Sequence, residues 1–298
     1  MKKQWYSNIS VYIKLIRVTS WPKNFFVFVP AVFSKHIFSL DYFLTVLLGF
    51  FTFSIASSAV YVFNDIIDAP KDKFHPLKKN RPIASGTISK FTATVISVIF
   101  FMILAAITLQ MSLYFSLIIW TYVIINIFYT TYLKEVVIVD IFCIASGFML
   151  RVIAGAFLIS VVISNWLILT TMFLSLFLAV MKRRVEIAIS VNPSEQRKVL
   201  KDYSLSFIDQ IAAMTGSGVI LSYALYSVAD RTVNFFGSEN LVFTTTYVIF
   251  GIFRYMYLVY KKDKGENVIE VLMTDIPMII NLILYIATTV FIIYSRQI

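Results

Sequence analysis

Three aspartates lie close together where a long apolar run ends: Asp65, Asp68 and Asp72. Spacings of three and four residues place them on one face of the segment if it is helical. Carboxylates on one face repel each other unless a cation lies between them, and such oxygen ligands suit Mg²⁺, which usually shares its shell with substrate phosphates. The spacing therefore predicts a Mg²⁺ site. Pro70 is expected to kink the helix near Ala69, so Asp65 and Asp68 are firmer ligand candidates than Asp72.

Basic residues surround and follow the three aspartates: Lys71, Lys73, Lys78, Lys79 and Arg81. Lysine and arginine donate strong charge-assisted hydrogen bonds to phosphate. A solvated cytoplasmic loop would also be charged. The order of the charged residues favours a binding site. Acids at the end of an apolar run are followed by bases and then by the turn signals Arg81-Pro82 and Ser85-Gly86. The segment is thus predicted to bind a phosphate-bearing substrate through a metal ion and several cations.

The composition of the chain identifies a polytopic membrane protein. Of its 298 residues, 59% are hydrophobic and only 14% are charged, which is too apolar for a soluble fold of this length. A membrane-spanning helix needs about 20 apolar residues. The nine candidate spans are 24–40, 42–63, 91–110, 112–133, 136–158, 161–181, 205–228, 240–260 and 276–294. The first is interrupted by Pro30, Lys35 and His36, and the residues before it are too polar for a cleavable signal peptide.

Most of the basic residues fall on one side of these nine spans if the spans alternate in direction. They precede the first span and lie in the connections after the second, fourth, sixth and eighth. The positive-inside rule makes that side cytoplasmic, so we expect the N-terminus inside and the C-terminus outside the plasma membrane. The net charge of +10 does not indicate nucleic-acid binding, because no soluble domain carries it.

We expect a single polytopic membrane domain over residues 1–298. An interfacial amphipathic helix is predicted within residues 1–23, where apolar side chains form one stripe: Trp5, Ile9, Ile13 and Ile16. The connections 64–90 and 182–204 are predicted to be cytoplasmic active-site loops. Cys143 is the single cysteine, so no intramolecular disulfide is expected and the redox compartment is not indicated.

Charged residues inside predicted spans are costly and must face a partner or a cavity. Arg151 lies eleven residues after Asp140, about three helical turns, so both share a face of the fifth span. Either Arg151 forms a structural ion pair with an acid of another span, or it contacts substrate. Arg254 in the eighth span leaves the same two alternatives open. Tyr129 and Lys134, just before the fifth span, are either membrane-flanking residues or part of the site.

Three consecutive bases follow the sixth span: Lys182, Arg183 and Arg184. They are either topology signals or a phosphate clamp in the same compartment as the aspartates, and Glu186 could align them by pairing. Asn192-Pro193 is a suitable N-cap and first-turn pair for a short helix that ends near Tyr203. Near the N-terminus, Lys23 is either a contact to lipid phosphate or a site residue.

Several motifs of the chain resemble one known family. The motif NDxxDxxxD at 64–72 is similar to the first aspartate-rich motif of the UbiA superfamily of intramembrane prenyltransferases. Further motifs resemble its decaprenyl-phosphate phosphoribosyltransferase branch: HPxKxxRPIASG at 75–86, YxxxLKxxxxxD at 129–140, GFxLRxxAG at 147–155, SWPKNFFVFVP at 20–30, FLAVMKRR at 177–184 and FGIFRYMYLVYKK at 250–262. The resemblance covers nearly the whole chain.

The resemblance implies an all-α integral membrane protein with nine transmembrane helices around a central cavity. It implies a Mg²⁺-dependent transferase that moves the 5-phosphoribosyl group of phosphoribosyl diphosphate (PRPP) to a polyprenyl phosphate and releases diphosphate. Asp65, Asp68 and Asp72 would hold the metal beside Asn64, and Asp140 would contact the ribose. Substrate would also be bound by Lys78, Arg81, Tyr129, Lys134, Arg151, Lys182, Arg183 and Arg184. Trimers are implied by the resemblance alone.

Two other functions are weighed against this one. Prenyltransferases of the same superfamily that act on aromatic acceptors carry a second aspartate-rich motif after the sixth span. Here that connection is basic and holds Asp202 and Asp209 without a DxxD or DxxxD spacing. A transporter with a charge site at Arg151 and Arg254 is the other alternative. Transporters usually show internal repeats and broken helices, and the sequence shows no convincing repeat.

Overall fold

A computed structural model describes residues 2–74, 78–189, 198–262, 271 and 274–295. All regular structure within these ranges is helical, so the all-α class expected from the sequence is confirmed. The α-helices in chain order are α1 (Lys2–Leu15), α2 (Val29–Phe33), α3 (Leu40–Asp72), α4 (Lys90–Thr108), α5 (Leu113–Thr131), α6 (Val139–Leu158), α7 (Asn165–Ile189), α8 (Leu205–Val228), α9 (Asp230–Phe236), α10 (Thr245–Lys262) and α11 (Ile276–Tyr294).

Eight helices in the described part of the chain are long and apolar enough to cross a membrane. They are α3 to α8, α10 together with the 3₁₀ turn before it, and α11. These eight correspond to the second to ninth spans predicted from the sequence, and their hydrophobic runs explain why the prediction succeeded.

The first predicted span, 24–40, is not one α-helix. A 3₁₀ helix at Val18–Phe28 continues directly into α2, and we name the two together the composite span. Pro22 and Pro30 lie within it, and each lacks the amide hydrogen that a regular α-helix needs. At about 2.0 Å per 3₁₀ residue and 1.5 Å per α residue, the composite span is about 30 Å long, which matches the hydrocarbon core of a bilayer.

The composite span runs antiparallel to α3. Near its start, Trp21 Nε1 donates to Ser58 Oγ at 3.1 Å. Beyond its end, the His36 ring stacks on the Tyr42 ring with centroids 4.1 Å apart. Because the partners move back along α3 as the chain advances, the composite span lies alongside α3 from Ser58 to Tyr42. It takes the place of the first predicted span, although only α2 within it is α-helical.

Helix α3 lies at the centre of the bundle. Of its apolar window, 61% is buried, against 17% in α11. It continues through Pro70 to Asp72, so the kink expected near Ala69 does not end the helix. Pro70 lacks the amide hydrogen that would bond to the carbonyl of Ile66, but the helix ends only two residues later. As a result, all three aspartates belong to one helix.

Both predicted active-site loops begin inside helices. Residues 64–72 are the last turns of α3, and 182–189 are the last turns of α7. Of the helix predicted over 192–203, residues 192–197 lie outside the described residues, and Lys198–Lys201 forms a 3₁₀ turn. Buried side chains from this turn pack with α6 and α7 in one hydrophobic cluster: Val199 and Leu200.

Helix α1, Lys2–Leu15, lies within the segment 1–23 in which an interfacial helix was predicted. Ile9 and Ile13 of the predicted apolar stripe are exposed, whereas Leu15 is fully buried against α3. Arg17 then adopts a left-handed conformation with φ of 52°, which turns the chain from α1 into the composite span. Such a conformation is uncommon outside glycine, so it marks a sharp change of direction.

Side-chain caps begin several helices. Ser89, Ser112, Ser204 and Asp275 precede α4, α5, α8 and α11, and each side chain accepts the backbone N–H three residues on. This bond satisfies one of the amides that a helix leaves unpaired at its start.

One glycine sets how closely α6 approaches the composite span. A Cβ atom at Gly155 would lie 2.1 Å from the carbonyl oxygen of Val27 and 3.3 Å from Pro30. Helices in membranes often pack through such small residues, since van der Waals contact replaces the hydrophobic effect there.

Candidate active site

The three aspartates of α3 lie at one end of the bundle. Asp65 and Asp72 are 2% and 5% exposed, and Asp68 is half-buried. Their spacing on an unbroken helix places them on one face, as the sequence predicts. Buried carboxylates need compensating charge, and each of these three has a basic partner.

Arg81 bridges two of the aspartates. Its Nη1 donates to Asp65 Oδ1 at 3.1 Å and to Asp72 Oδ2 at 2.6 Å. Arg17 also pairs with Asp65. Lys78 is half-buried in the 3₁₀ turn that leads to Arg81. The carboxylates of Asp65 and Asp72 are therefore close enough to share one cation.

The connection between α5 and α6 supplies a third cation. Lys134 is 6% exposed, and its Nζ donates to Asp68 Oδ1 at 2.6 Å. Thr130 Oγ1 at the end of α5 donates to Asn64 Oδ1 at 3.0 Å. These two bonds fasten the α5–α6 connection to the C-terminal turns of α3.

We name these acids and bases the aspartate cluster: Asp65, Asp68, Asp72, Arg17, Arg81 and Lys134. Its three negative charges are matched by three positive charges. Among the described residues, no group of three or more His, Cys, Asp or Glu side chains is gathered as for a metal ion. The assignment of Asp65, Asp68 and Asp72 as metal ligands therefore stays a prediction.

A second buried network lies where α6 begins. Asp140 and Arg183 are both 0% exposed and form an ion pair through Asp140 Oδ2. Arg183 also pairs with Glu186, and its Nη2 donates to Tyr129 Oη at 3.0 Å. Tyr203 Oη donates to Asp140 Oδ1 at 2.7 Å. We name these five residues the Asp140 network.

Both oxygens of Asp140 thus have protein partners. A contact between Asp140 and ribose, as predicted, would have to replace one of these bonds. The same holds for Arg183 and phosphate, because the guanidinium already contacts Asp140, Glu186 and Tyr129. Both assignments remain predictions.

Arg151 is deeply buried without an acidic partner among the described residues. It is 4% exposed, its Nε donates to Asn24 Oδ1 at 2.7 Å, and its Nη2 donates to Tyr122 Oη at 3.2 Å. The guanidinium also lies 4.8 Å from the ring centroid of Tyr122 and 5.4 Å from that of Phe53. The structure therefore does not contain the ion pair that was one of the two alternatives for Arg151. Amide, hydroxyl and aromatic groups hold the charge instead.

Arg254 and Arg184 are held away from both clusters. Arg254 donates twice to the carboxylate of Asp275, at 3.0 and 2.9 Å, so the structural ion pair is the alternative observed for it. Arg184 Nε donates to Asp209 Oδ1 at 2.9 Å, and its guanidinium lies 3.8 Å from the Tyr260 ring centroid. Consecutive helical residues point in different directions. Arg183 and Arg184 therefore contact different partners, and a phosphate clamp formed by the three bases stays a prediction.

Two half-buried lysines at this end of the bundle have no ion pair or hydrogen bond to the described residues: Lys23 of the composite span and Lys182 of α7. Both lysines lie near Tyr61 of α3 and near each other, and Lys182 also lies near Glu186. The guanidinium of Arg17 lies 4.9 Å from the Tyr61 ring centroid, so the lysines lie beside the aspartate cluster. This arrangement suits an anionic ligand.

The structure brings most of the predicted site residues to one end of the bundle. Tyr129, Lys134 and Asp140 are all on or next to the α5–α6 connection, which joins the aspartate cluster to the Asp140 network. Sequence reasoning missed Arg17 and Tyr203. Arg17 lies within the segment 1–23 predicted to hold an interfacial helix, and the left-handed turn that directs it to Asp65 leaves no sequence signal.

Comparison with known families identifies the chain. The UbiA prenyltransferase family model matches residues 25–273. The chain belongs to the UbiA prenyltransferase family. The matched region contains the Asp140 network and, apart from Arg17, the whole aspartate cluster. The family resemblance of the sequence motifs is thereby confirmed.

Named relatives agree with the branch that the motifs resemble. Decaprenyl-phosphate phosphoribosyltransferase of Corynebacterium glutamicum is 31% identical over 225 residues, which are 72% of this chain and 66% of that protein. The protein of the same name from Mycobacterium tuberculosis is 29% identical over 220 residues, which are 72% of this chain and 73% of that protein. The chain spans about two thirds to three quarters of these relatives.

Solved structures confirm the fold. A UbiA homologue from Archaeoglobus fulgidus, bound to GPP and Mg²⁺, matches with a TM-score of 0.71 at 16% identity and covers 95% of this chain and 99% of that one. Digeranylgeranylglyceryl phosphate synthase matches with a TM-score of 0.64 at 17% identity. At such identities the likeness establishes the UbiA-like helical fold alone.

Proposed function

We propose that this UbiA family member transfers the 5-phosphoribosyl group of PRPP to a polyprenyl phosphate and releases diphosphate. The observation that carries the proposal is one set of carboxylates enclosed by cations at one end of the bundle. A donor that bears a diphosphate and a separate 5-phosphate needs both a metal-binding face and additional positive charge. The names of the bacterial relatives support the same chemistry.

Asp65 and Asp68 would hold a Mg²⁺ ion on the diphosphate of PRPP, with Asn64 and Asp72 beside them. The donor set fits, because carboxylate and amide oxygens are ligands of this hard cation, and Asp65 and Asp72 already share Arg81. When bound, the ion would supply charge stabilisation to the leaving diphosphate.

Phosphate oxygens would be bound by the basic residues around the aspartates. Arg81 and Lys134 pair with carboxylates of the aspartate cluster. A Mg²⁺ ion held by these carboxylates would compensate their charge, so that both side chains could donate charge-assisted hydrogen bonds to phosphate. Lys182 and Lys23 need no such release, because no described carboxylate pairs with them. Lys78 lies next to Arg81 in the same turn region.

The transfer needs no proton acceptor from the protein. The bond between ribose C1 and the diphosphate oxygen breaks, and its electron pair leaves with the diphosphate. An anionic oxygen of the acceptor phosphate forms the new bond to C1. Because that nucleophile is already deprotonated at neutral pH, the residues of the site act by positioning and by charge stabilisation.

We infer that the site faces the cytoplasm of a bacterial cell. The aspartate cluster lies beside the basic connection that follows α3, and the bases of α7 are at the same end. The polyprenyl tail would lie against apolar helix surface within the bilayer, while its phosphate reaches the cations.

The test uses membranes that contain the protein, PRPP, Mg²⁺ and a polyprenyl phosphate. Mass spectrometry of the lipid extract should detect a phosphoribosylated polyprenyl phosphate that requires all three additions. A parallel reaction with a prenyl diphosphate and an aromatic acceptor tests the alternative prenyltransferase activity. Product in the second reaction alone would replace the proposed function with that alternative.

A further inference from the structure

Tyr203 joins two parts of the molecule that are distant in sequence. It is 5% exposed and lies just before α8, where the chain returns from the α7–α8 connection. Its hydroxyl accepts the backbone N–H of Ile138 at 2.6 Å and donates to Asp140 Oδ1 at 2.7 Å. The proposed reaction gives Tyr203 no role, although Asp140 is a predicted site residue and Ile138 belongs to the connection that carries Lys134.

The backbone that Tyr203 contacts is strained. Ile138 has φ of 69° and ψ of −44° immediately before α6. A β-branched residue rarely adopts positive φ, and such conformations persist only where the surrounding structure holds them. The hydrogen bond from Ile138 to Tyr203 is one such restraint. It acts two residues before Asp140 and four residues after Lys134.

Packing fixes the hydroxyl of Tyr203 in place. Val199 and Leu200 of the preceding 3₁₀ turn are 0% and 2% exposed and share a hydrophobic cluster with Tyr203, Ile141 and Val185. Burial raises the pKa of Tyr203, and the hydrogen bond to Asp140 raises it further. The hydroxyl therefore stays protonated at neutral pH and can donate to the carboxylate.

We propose that Tyr203 is a positioning residue of the active site. It holds the turn at Ile138 and the carboxylate of Asp140. Asp140 in turn holds Arg183, which donates to Tyr129, so the α7–α8 connection sets the geometry of the α5–α6 connection that carries Lys134. The role assigned to Tyr203 in catalysis rests on the proposed function, but its role in holding Ile138 does not.

The kinetic test compares two matched variants. Tyr203→Phe keeps the ring and removes only the hydroxyl. Tyr223→Phe removes a hydroxyl that is equally buried, 3% exposed, and bonded to Thr244 at 2.6 Å in a different hydrophobic cluster. We expect Tyr203→Phe to lower kcat/KM for PRPP at least tenfold and to leave the KM of the lipid nearly unchanged. Tyr223→Phe should stay within threefold of the unaltered protein. Equal losses of kcat/KM in both variants would mean that Tyr203 has only a structural role.

Hydrogen–deuterium exchange provides a second readout that needs no substrate. Peptides that contain Ile138 should exchange at least tenfold faster at this amide in Tyr203→Phe, and at the unaltered rate in Tyr223→Phe. Unchanged exchange at Ile138 in Tyr203→Phe would overturn the positioning role, whatever the activity. If the unaltered protein does not use PRPP, the kinetic test reports the failure of the proposed function, and exchange still decides the role of Tyr203.

Discussion

Asp65 shows how a membrane protein keeps several carboxylates buried at one helix end. It has two arginine partners, Arg17 and Arg81, and the second of these also reaches Asp72. Removing one partner of a buried ion pair leaves an uncompensated charge, which is strongly destabilising. Arg17 and Arg81 therefore stabilise the buried carboxylates of α3.

The aspartates give the most direct prediction at the residue scale. Asp65→Asn and Asp68→Asn should each lower phosphoribosyl transfer at least tenfold, because an amide is a weaker ligand for Mg²⁺ and leaves a cation unpaired. Asp209→Asn is the matched control, since Asp209 also pairs with an arginine, Arg184, outside the cluster. Initial rates in detergent-solubilised protein give the measurement. Activity near that of the control would show that these aspartates are not ligands of the metal ion.

Lys182 of α7, which forms no ion pair with a described carboxylate, gives a second prediction. Lys182→Ala should raise the KM of one phosphate-bearing substrate about ten- to a hundredfold, because a charge-assisted hydrogen bond contributes roughly 1.5–3 kcal/mol. Arg184→Ala removes a neighbouring charge that already pairs with Asp209, so its KM values should change little. Steady-state kinetics with PRPP and lipid varied separately show which phosphate is contacted. A larger increase in KM for Arg184→Ala than for Lys182→Ala would contradict this prediction.

At the scale of elements, Gly155 fixes the contact between α6 and the composite span. Gly155→Ala places a methyl group 2.1 Å from the backbone oxygen of Val27, so backbone must move, at a cost of about 1–3 kcal/mol. Gly251→Ala is the control: its nearest neighbour would be Asn281 at 3.5 Å, an ordinary contact. There the gain in helix propensity, about 1 kcal/mol, should leave stability equal or higher. Thermal unfolding in detergent should rank the two variants in that order.

The elements also show what a sequence of this kind can predict. Long apolar runs specify α3 to α8 because a bilayer selects length and hydrophobicity directly. The segment 24–40 was expected as an ordinary span, but prolines at 22 and 30 give a 3₁₀ helix and a short α-helix. Asp65, Asp68 and Asp72 share a face through helical periodicity, which is a local property.

Contacts that depend on tertiary structure were not predictable in the same way. Arg17 reaches Asp65 through a left-handed turn, and Tyr203 reaches Asp140 from 63 residues away. Neither periodicity nor charge order indicates such pairings. Arg183 is a further example. Its side chain is fully buried, although in the sequence it is only one of three consecutive bases at the end of a predicted span.

At the scale of the whole molecule, the path of the N-terminal segment decides the topology. Arg17, before the composite span, contacts Asp65 near the C-terminal end of α3. His36, after the composite span, contacts Tyr42 at the opposite end of α3. The N-terminal helix and the aspartate cluster are therefore on the same side of the bundle. With the basic connections inside, that side is expected to be cytoplasmic.

Cysteine accessibility tests this topology in a Cys143→Ser background, which should give no labelling by itself. Single cysteines are placed at four exposed positions: Lys14, Lys79, Gln110 and Asn234. A membrane-impermeant maleimide should label the last two in intact cells, because they follow outward crossings. It should label Lys14→Cys and Lys79→Cys only after permeabilisation. Labelling of Lys14→Cys in intact cells, with Lys79→Cys still protected, would mean that the composite span does not cross the membrane. The side assigned to the N-terminus would then be wrong, although the site at the end of α3 would keep its place.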